Sequence, residues 1–326
     1  MKILVTGAAG YIGSIVTERL IELGHEVSAL DNLQAGHRAA VCPEAKFIKA
    51  DLADQELLTK VLLEHRIEAV IHMAAEALIA ESIIDPHRFF LSNVTCGLNL
   101  LAAMLKAGVK RIIFSSTAAT YGEPEKLPIT EEAPKRPVNS YGESKLMFER
   151  ILHWYHRAYG INYIALRYFN AAGASKLLGE HHVPETHLIP LVLQVALGNR
   201  SHIEIYGTDY DTPDGTCLRD YIHVWDLAQA HVLALENLDR VGEGAYNMGN
   251  GDGYSVLQII ESARQITGHQ IPASPSPRRP GDPARLVASS RRIRRELGWE
   301  PRYPSLNDII ESAWLWHKAH PQGYFS

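Results

Sequence analysis

Ile3-Leu4-Val5-Thr6-Gly7-Ala8-Ala9-Gly10-Tyr11-Ile12-Gly13 opens the chain with a strand, a glycine turn and the start of a helix. A short β-favouring run enters a glycine turn, and a helical pattern follows to about Gly24. Strand, tight turn and helix N-terminus in that order suit a dinucleotide pyrophosphate. Gly7, Gly10 and Gly13 let the backbone come close, and the helix dipole faces the anion. The spacing is G-x-x-G-x-x-G rather than G-x-G-x-x-G, so the turn alone fits an ordinary strand-to-helix connection as well.

The next elements favour the nucleotide. Residues 26–30 read as a second strand ending at Asp31-Asn32-Leu33. A carboxylate at that strand end accepts hydrogen bonds from the adenosine ribose and repels a 2′-phosphate, and no arginine follows Asp31 directly. NAD is therefore expected rather than NADP. A third strand over 46–50 ends at Asp51-Leu52, suited to the adenine edge. A fourth over 69–73 runs through Met73 into Ala74-Ala75, small enough for a cofactor to pass the backbone. Strands alternating with helices at this spacing predict an α/β fold, a Rossmann-type doubly wound parallel sheet with a smaller C-terminal substrate-binding lobe.

Composition is that of an ordinary globular chain. The sequence has 326 residues, 46% hydrophobic and 21% charged, with a net charge of -5. Nothing in that balance points to nucleic acid or to an acidic membrane surface. Cys42, Cys96 and Cys217 are odd in number and far apart, as expected of reduced thiols in a cytoplasmic protein. The chain opens directly on a buried-strand pattern with no room for a cleaved signal, and no unbroken apolar run reaches a membrane span of about 18 residues.

Residues 86–107 read as one long helix carrying Ser92 and Asn93. A fifth strand over 110–114 opens into Ser115-Ser116-Thr117-Ala118-Ala119-Thr120-Tyr121-Gly122. Hydroxyls at the carboxyl end of a central strand lie where such sheets bind ligands, although strand ends also use them to satisfy backbone groups. Tyr141-Gly142-Glu143-Ser144-Lys145 opens the next helix. At i and i+4, tyrosine and lysine share one face, and a nearby ammonium favours the phenolate; a solvated helix face carries the same pattern. Residues 162–167 read as a further strand, followed by Tyr168-Phe169-Asn170.

Taken together, GAAGYIGS, DNLQAGH, SSTAATYG, YGESK, RYFNAAGA, HLIPLVLQVA, YDTPDGTCLRDYIHVWDLA and RRPGDPARL resemble the extended short-chain dehydrogenase/reductase superfamily. Within it the chain resembles the UDP-galactose (UDP-glucose) 4-epimerases, along its whole length. The resemblance implies tightly held NAD and transient oxidation at C4 of a UDP-hexose, with rotation of the 4-keto sugar before reduction. Tyr141 is then the base. Lys145 binds the nicotinamide ribose and, with the ring's positive charge, lowers the tyrosine's pKa, while Thr117 hydrogen-bonds the sugar O4. Cofactor contacts are expected from Gly7, Gly10, Tyr11, Ile12, Gly13, Asp31, Asn32, Asp51, Leu52, Met73, Ala74 and Ala75. Ser92, Asn93, Ser115, Tyr168 and Phe169 complete that set with the catalytic pair. On the substrate side, Arg219 and Arg279 match phosphate-binding arginines and Asp282 the uridine ribose acceptor. Tyr206 packs on the base, and Asn170 and Leu188 contact the substrate.

Dehydratases of the superfamily carry Asp-Glu directly after the threonine; here Ala118-Ala119 stand there, against elimination. A lysine that grips the cofactor pyrophosphate in some members is Ala77 here. Leu286 is intermediate between a tyrosine that restricts the pocket to plain hexoses and a small residue that admits N-acetylhexosamines. UDP-N-acetylhexosamine or dual-specificity epimerisation is the first alternative, then a 4,6-dehydratase, then a non-catalytic NAD-sensing protein. The expected division is 1–173 for NAD, with returns near 219–238, and 174–326 mainly for the UDP-sugar. Homodimerisation through 87–107 and 141–159 is the family habit. Glu180, His181, His182, Glu185 and His187 invite a metal reading, but their irregular spacing favours a solvated or substrate-side loop, and no metal is expected.

Overall fold

The computed structural model describes residues 1–279 and 283–324. Along the chain the first strands are β1 (Lys2–Thr6), β2 (Glu26–Asp31), β3 (Lys46–Lys49), β4 (Ala69–His72), β5 (Arg111–Thr117), β6 (Asn162–Tyr168) and β7 (Asn170–Ala172). They are followed by β8 (Ile203–Tyr206), β9 (Leu218–His223), β10 (Glu243–Met248), β11 (Gly253–Ser255), β12 (Ala273–Ser276) and β13 (Arg285–Leu286). Seven strands form one parallel sheet in the order β10-β6-β5-β4-β1-β2-β3. This is the doubly wound arrangement that the alternation predicts.

The continuous apolar runs explain why the sheet is covered on both faces. Ile3 and Val5 enter one core while Leu4 enters the other; Ile113 opposes Ile112 and Phe114 in the same way. Helices Tyr11–Glu22 and Val224–Val241 close the first face. Gln55–Glu64, Cys96–Ala107 and Ser140–Tyr159 close the second. A separate core around Val192, Leu193, Ile259, Ile310 and Trp314 builds the lobe that carries the small sheet β11-β9-β13, with β7 added to β9.

Two expectations need adjustment. The chain returns to the large sheet through helix Val224–Val241 and β10, whereas β9 belongs to the small sheet. The long helix over 86–107 is broken in character: Pro86–Phe90 and Cys96–Ala107 flank a π-helical turn, Leu91–Thr95, that carries Ser92 and Asn93. Such a turn admits one extra residue per hydrogen-bonded ring and often marks functional positions. By length and composition alone this helix is apolar enough to cross a membrane, a point the search for unbroken apolar runs misses because polar residues punctuate it. Its inner side packs against Gln55–Glu64 and the second core.

Under the carboxyl ends of β5 and β6 lies a buried ion pair. Arg167 Nε and Nη2 donate to Glu149 Oε1 and Oε2 at 2.9 and 2.6 Å. Ser116 Oγ donates to the same carboxylate, and Arg167 Nη1 donates to the Tyr121 hydroxyl at 2.7 Å. Tyr121 in turn donates to Asn247 Oδ1 on β10. Removing one partner strands the other charge away from water. Glu149→Ala is therefore expected to lower the unfolding free energy by about 3–5 kcal/mol in denaturant titration; a loss below about 1 kcal/mol would show that the pair is dispensable.

Candidate active site

The turn between β1 and the first helix is tight because its glycines are indispensable. Gly7 has φ of 73°, and a Cβ there would lie 2.7 Å from Ala74 N. A Cβ on Gly13 would fall 2.0 Å from Gly7 O. Gly10 caps the helix without a side-chain bond, and no acidic residue occupies the first turn, which leaves its amides and dipole to an anion. Asp31 Oδ2 accepts from Ala9 N at 2.9 Å and Oδ1 from Leu33 N at 2.8 Å, so the carboxylate also shapes the turn. Asn32 donates to Asp51 Oδ2 at 2.8 Å, tying the ends of β2 and β3 together. Leu52 follows Asp51, and Met73, Ala74 and Ala75 leave β4 beside Gly7. This open cradle fits a dinucleotide such as NAD. Tyr11 departs from expectation in one respect: its hydroxyl donates to Gly173 O at 2.6 Å and ties the turn to the second lobe.

Thr117 ends β5 and Tyr141 lies in the first turn of Ser140–Tyr159, a helix capped by Asn139. Gly142 brings that helix against the Thr117 strand end, since a Cβ there would meet Ala119 O at 2.5 Å. Burial pushes the Tyr141 phenol up, and a hydrogen bond with the Thr117 side chain works in the other direction without overcoming it. Lys145 is only 4% exposed. Its ammonium donates to Ser115 O at 2.9 Å and lies 4.9 Å from the Phe114 ring centroid. Burial alone pushes it down to about 7. The Lys145 ammonium is directed to a strand carbonyl, and burial is the largest influence on both groups.

Asn93 reaches the site by a route the spacing did not reveal. Its amide accepts from Glu76 N at 2.9 Å and donates to Ser144 Oγ at 3.0 Å, and Ser144 donates to Tyr141 O at 2.7 Å. The loop after β4, the π-turn with Ser92 and the Tyr141 helix are thereby held together. Tyr168 hydrogen-bonds His231 Nε2 at 2.6 Å, and Phe169 follows it.

On the second lobe, Asn170 starts β7 and pairs with Tyr221 of β9. Arg219 on β9 donates to Leu218 O and Pro283 O and stands opposite Leu286 in register. The Arg279 guanidinium lies 3.9 Å from the Tyr206 ring centroid, so those two expected ligands stack on each other. Leu188 begins the helix Leu188–Ala196. Leu286 packs with Ala118 and Phe169, which joins the lobe to the Thr117 strand end. Asp282 lies outside the described residues. Asp220, which no motif argument singled out, is fully buried and accepts from Asn250 N, Gly251 N and Ala288 N, pinning β9 to the strand-end loops.

The histidine-rich loop, expected to be solvated or substrate-side, is not solvated at its carboxylates. The Glu180 and Glu185 carboxylates are buried, and both face His182 and His187. Burial opposes protonation of His182 and His187, but the two carboxylates outweigh it and push them up to about 9 and about 10.

The Lys145 shift makes a signed prediction. Between about pH 7 and 10.5 the unfolded chain binds a proton at this lysine that the folded chain does not, so wild-type stability rises with pH there. Lys145→Met, compared at equal cofactor loading, is expected to be more stable than wild type at about pH 6, with the gap narrowing toward about pH 9. A gap independent of pH in denaturant titrations would refute the assigned burial penalty.

Residues 3–249 match the model of the NAD dependent epimerase/dehydratase family. A UDP-glucose 4-epimerase of Halalkalibacterium halodurans is 54% identical over 99% of this chain and 98% of its own length. A crystal structure of a UDP-glucose 4-epimerase superposes with a TM-score of 0.97 at 51% identity, covering 100% of both chains. The Bifidobacterium longum UDP-glucose 4-epimerase, solved in complex with NAD+ and UDP, superposes with a TM-score of 0.95 at 40% identity over 99% of this chain and 100% of that one. With its glycine cradle, its Thr117 strand end and its Tyr141 helix in place, the chain belongs to the NAD dependent epimerase/dehydratase family.

Proposed function

We propose that this enzyme interconverts UDP-glucose and UDP-galactose by inverting C4 of the hexose. The observation that carries this reading is Thr117 in hydrogen-bond reach of the Tyr141 phenol, with alanines at 118 and 119 where elimination would need an acid and a base. The C4 hydrogen of a hexose is not acidic, so inversion must pass through oxidation and reduction. Bound NAD supplies that redox chemistry, accepting a hydride from C4 and returning it to the opposite face of the 4-keto sugar.

The chain's own groups do the rest. Tyr141 takes the O4 proton on oxidation and returns it on reduction. Thr117 hydrogen-bonds O4 and shares that proton with Tyr141. Lys145, anchored on Ser115 O, presents its remaining N–H donors to the cofactor ribose. Gly7, Gly10 and Gly13 hold the pyrophosphate, with Asp31 at the adenosine ribose. Residues Arg219, Arg279 and Asp282 hold the UDP end, with Tyr206 at the base and Asn170 and Leu188 beside the diphosphate. Residues 1–173, less the 170–173 segment that joins the small sheet, form the NAD-binding part with the returning 224–248 segment, and 170–173 with the remainder of 174–326 the UDP-sugar lobe.

The enzyme acts in the cytoplasm as a homodimer joined through the helices at 87–107 and 141–159. Leu91 is 50% and Trp154 67% exposed on those helices, surface that a helical interface would cover. Leu286, intermediate in size between tyrosine and a small residue, leaves UDP-N-acetylgalactosamine as a secondary substrate.

Purified protein given UDP-galactose and no added cofactor is expected to form UDP-glucose, and a lack of conversion even with NAD added would overturn the assignment. Thr117→Val and Tyr141→Phe should each lower kcat by about 10²–10⁴-fold. Protein-bound NAD, released and quantified, should remain near the wild-type level in both; parallel loss of cofactor would place these residues in binding instead.

A further inference from the structure

We propose that Glu180, His182, Glu185 and His187 form a binding site for one divalent transition-metal ion, zinc by preference, that clamps the second lobe to the cofactor turn. One ligand atom from each of the four lies within 4.8 Å of the others. Three of the contacts are close to a tetrahedral edge in length, the two from Glu185 through different carboxylate oxygens, so that this carboxylate would reach an ion through both oxygens or after a small turn. His182 Nδ1 is 3.4 Å from Glu180 Oε1 and 3.5 Å from Glu185 Oε2, and His187 Nδ1 is 3.3 Å from Glu185 Oε1. Four ligands about 2.0–2.1 Å from a zinc ion stand about 3.3–3.4 Å from one another. His187 Nδ1 to Glu180 Oε1, at 2.7 Å, is shorter, and an ion entering there would widen it.

The chemistry of the set agrees with the geometry. Two imidazoles and two carboxylates suit zinc better than magnesium or calcium, which prefer all-oxygen shells. Two carboxylates cancel the charge of a divalent ion and leave both imidazoles neutral, the form in which they ligate. The Glu180 and Glu185 side chains are 4% and 6% exposed, and so need a cation beside them. His182 Nδ1 is buried with no hydrogen-bond partner, directed at the carboxylates. His187 lies on the solvent side, half exposed, which gives an ion a way in.

The position says what the ion would do. The Tyr11 ring meets His182 edge-on at 6.3 Å, and its hydroxyl holds Gly173 O. His187 is the residue before Leu188–Ala196, the helix whose first residue faces the substrate side in the proposed function. A metal here would fasten the glycine turn and the sugar lobe to one point. With four protein ligands it has no open position for substrate, so the ion is structural rather than a Lewis acid. The site itself stands on geometry independent of the epimerase reading.

The competing arrangement is two imidazolium–carboxylate pairs held together by protons alone. The cofactor-loaded enzyme, stripped with a chelator and dialysed, is titrated with zinc chloride, and bound zinc per chain and the thermal midpoint are measured. Cobalt(II) replaces zinc in a parallel sample for visible absorption. One zinc per chain, a midpoint raised by zinc, and intense tetrahedral cobalt bands are expected. His182→Gln/His187→Gln should weaken zinc binding at least about tenfold, and the near-isosteric Glu185→Gln provides the same reading if the double variant folds poorly. Zinc uptake no greater than in these variants, or a wild-type midpoint indifferent to zinc with no tetrahedral cobalt spectrum, would overturn the proposal.

Discussion

Desolvation of Tyr141 and Lys145 is the constraint around which the rest of the structure is arranged. An ammonium that is 4% exposed, bonded to a single strand carbonyl, is poorly compensated. A phenol at the same strand end is held in its neutral form by the same burial. Dry surroundings make each group responsive, because charge arriving with bound ligands acts at low dielectric and with little competition from water. In the proposed function, the capacity for base chemistry is stored in this burial and released by ligand binding. A residue pair set in water at the helix surface would have had ordinary pKa values and no such dependence.

Holding two groups in that condition requires a stiff support. The Arg167–Glu149 pair sits one residue below Thr117 on β5, through Ser116, and one turn beyond Lys145 on the same helix. Its hydrogen bonds continue to Tyr121 and Asn247, so β5, β6, β10 and the Tyr141 helix share one network. From the other side, Asn93 and Ser144 fix the helix to the loop after β4. Charge buried for support and charge buried for chemistry thus lie back to back. The first is fully paired and inert, whereas the second is left short of partners.

Patterns of neighbouring residues were legible in the sequence; pairings across the fold were not. Alternation of apolar strands and helices predicts the parallel sheet; the glycine turn, Asp31 and Thr117 occupy the strand ends expected of them, and Tyr141 opens the helix expected of it. Long-range pairing escaped, since nothing local says that β9 leaves the large sheet for the small one or that Asp220 pins three backbone amides. The π-turn at Leu91–Thr95 has no sequence mark beyond Asn93, whose partners lie in two other segments. The burial of the carboxylates in the loop around Glu180 escaped for a related reason. Its ligand-type residues have irregular spacing because loop backbone rather than a helix face brings them together.

The same geometry explains why this site is committed to inversion rather than elimination. Ala118 is buried among Tyr121, Ile129, Phe169, Ala288 and Leu286, and Ala119 lies under Gly142 where a Cβ has no room. A carboxylate placed at 118 would enter apolar surroundings and favour its neutral form. One at 119 would have to find space beside the helix whose close approach brings Tyr141 to Thr117. Small side chains at both positions therefore do two things at once. They leave out the acid and base that elimination needs, and they lie where the Tyr141 helix closes on the strand end.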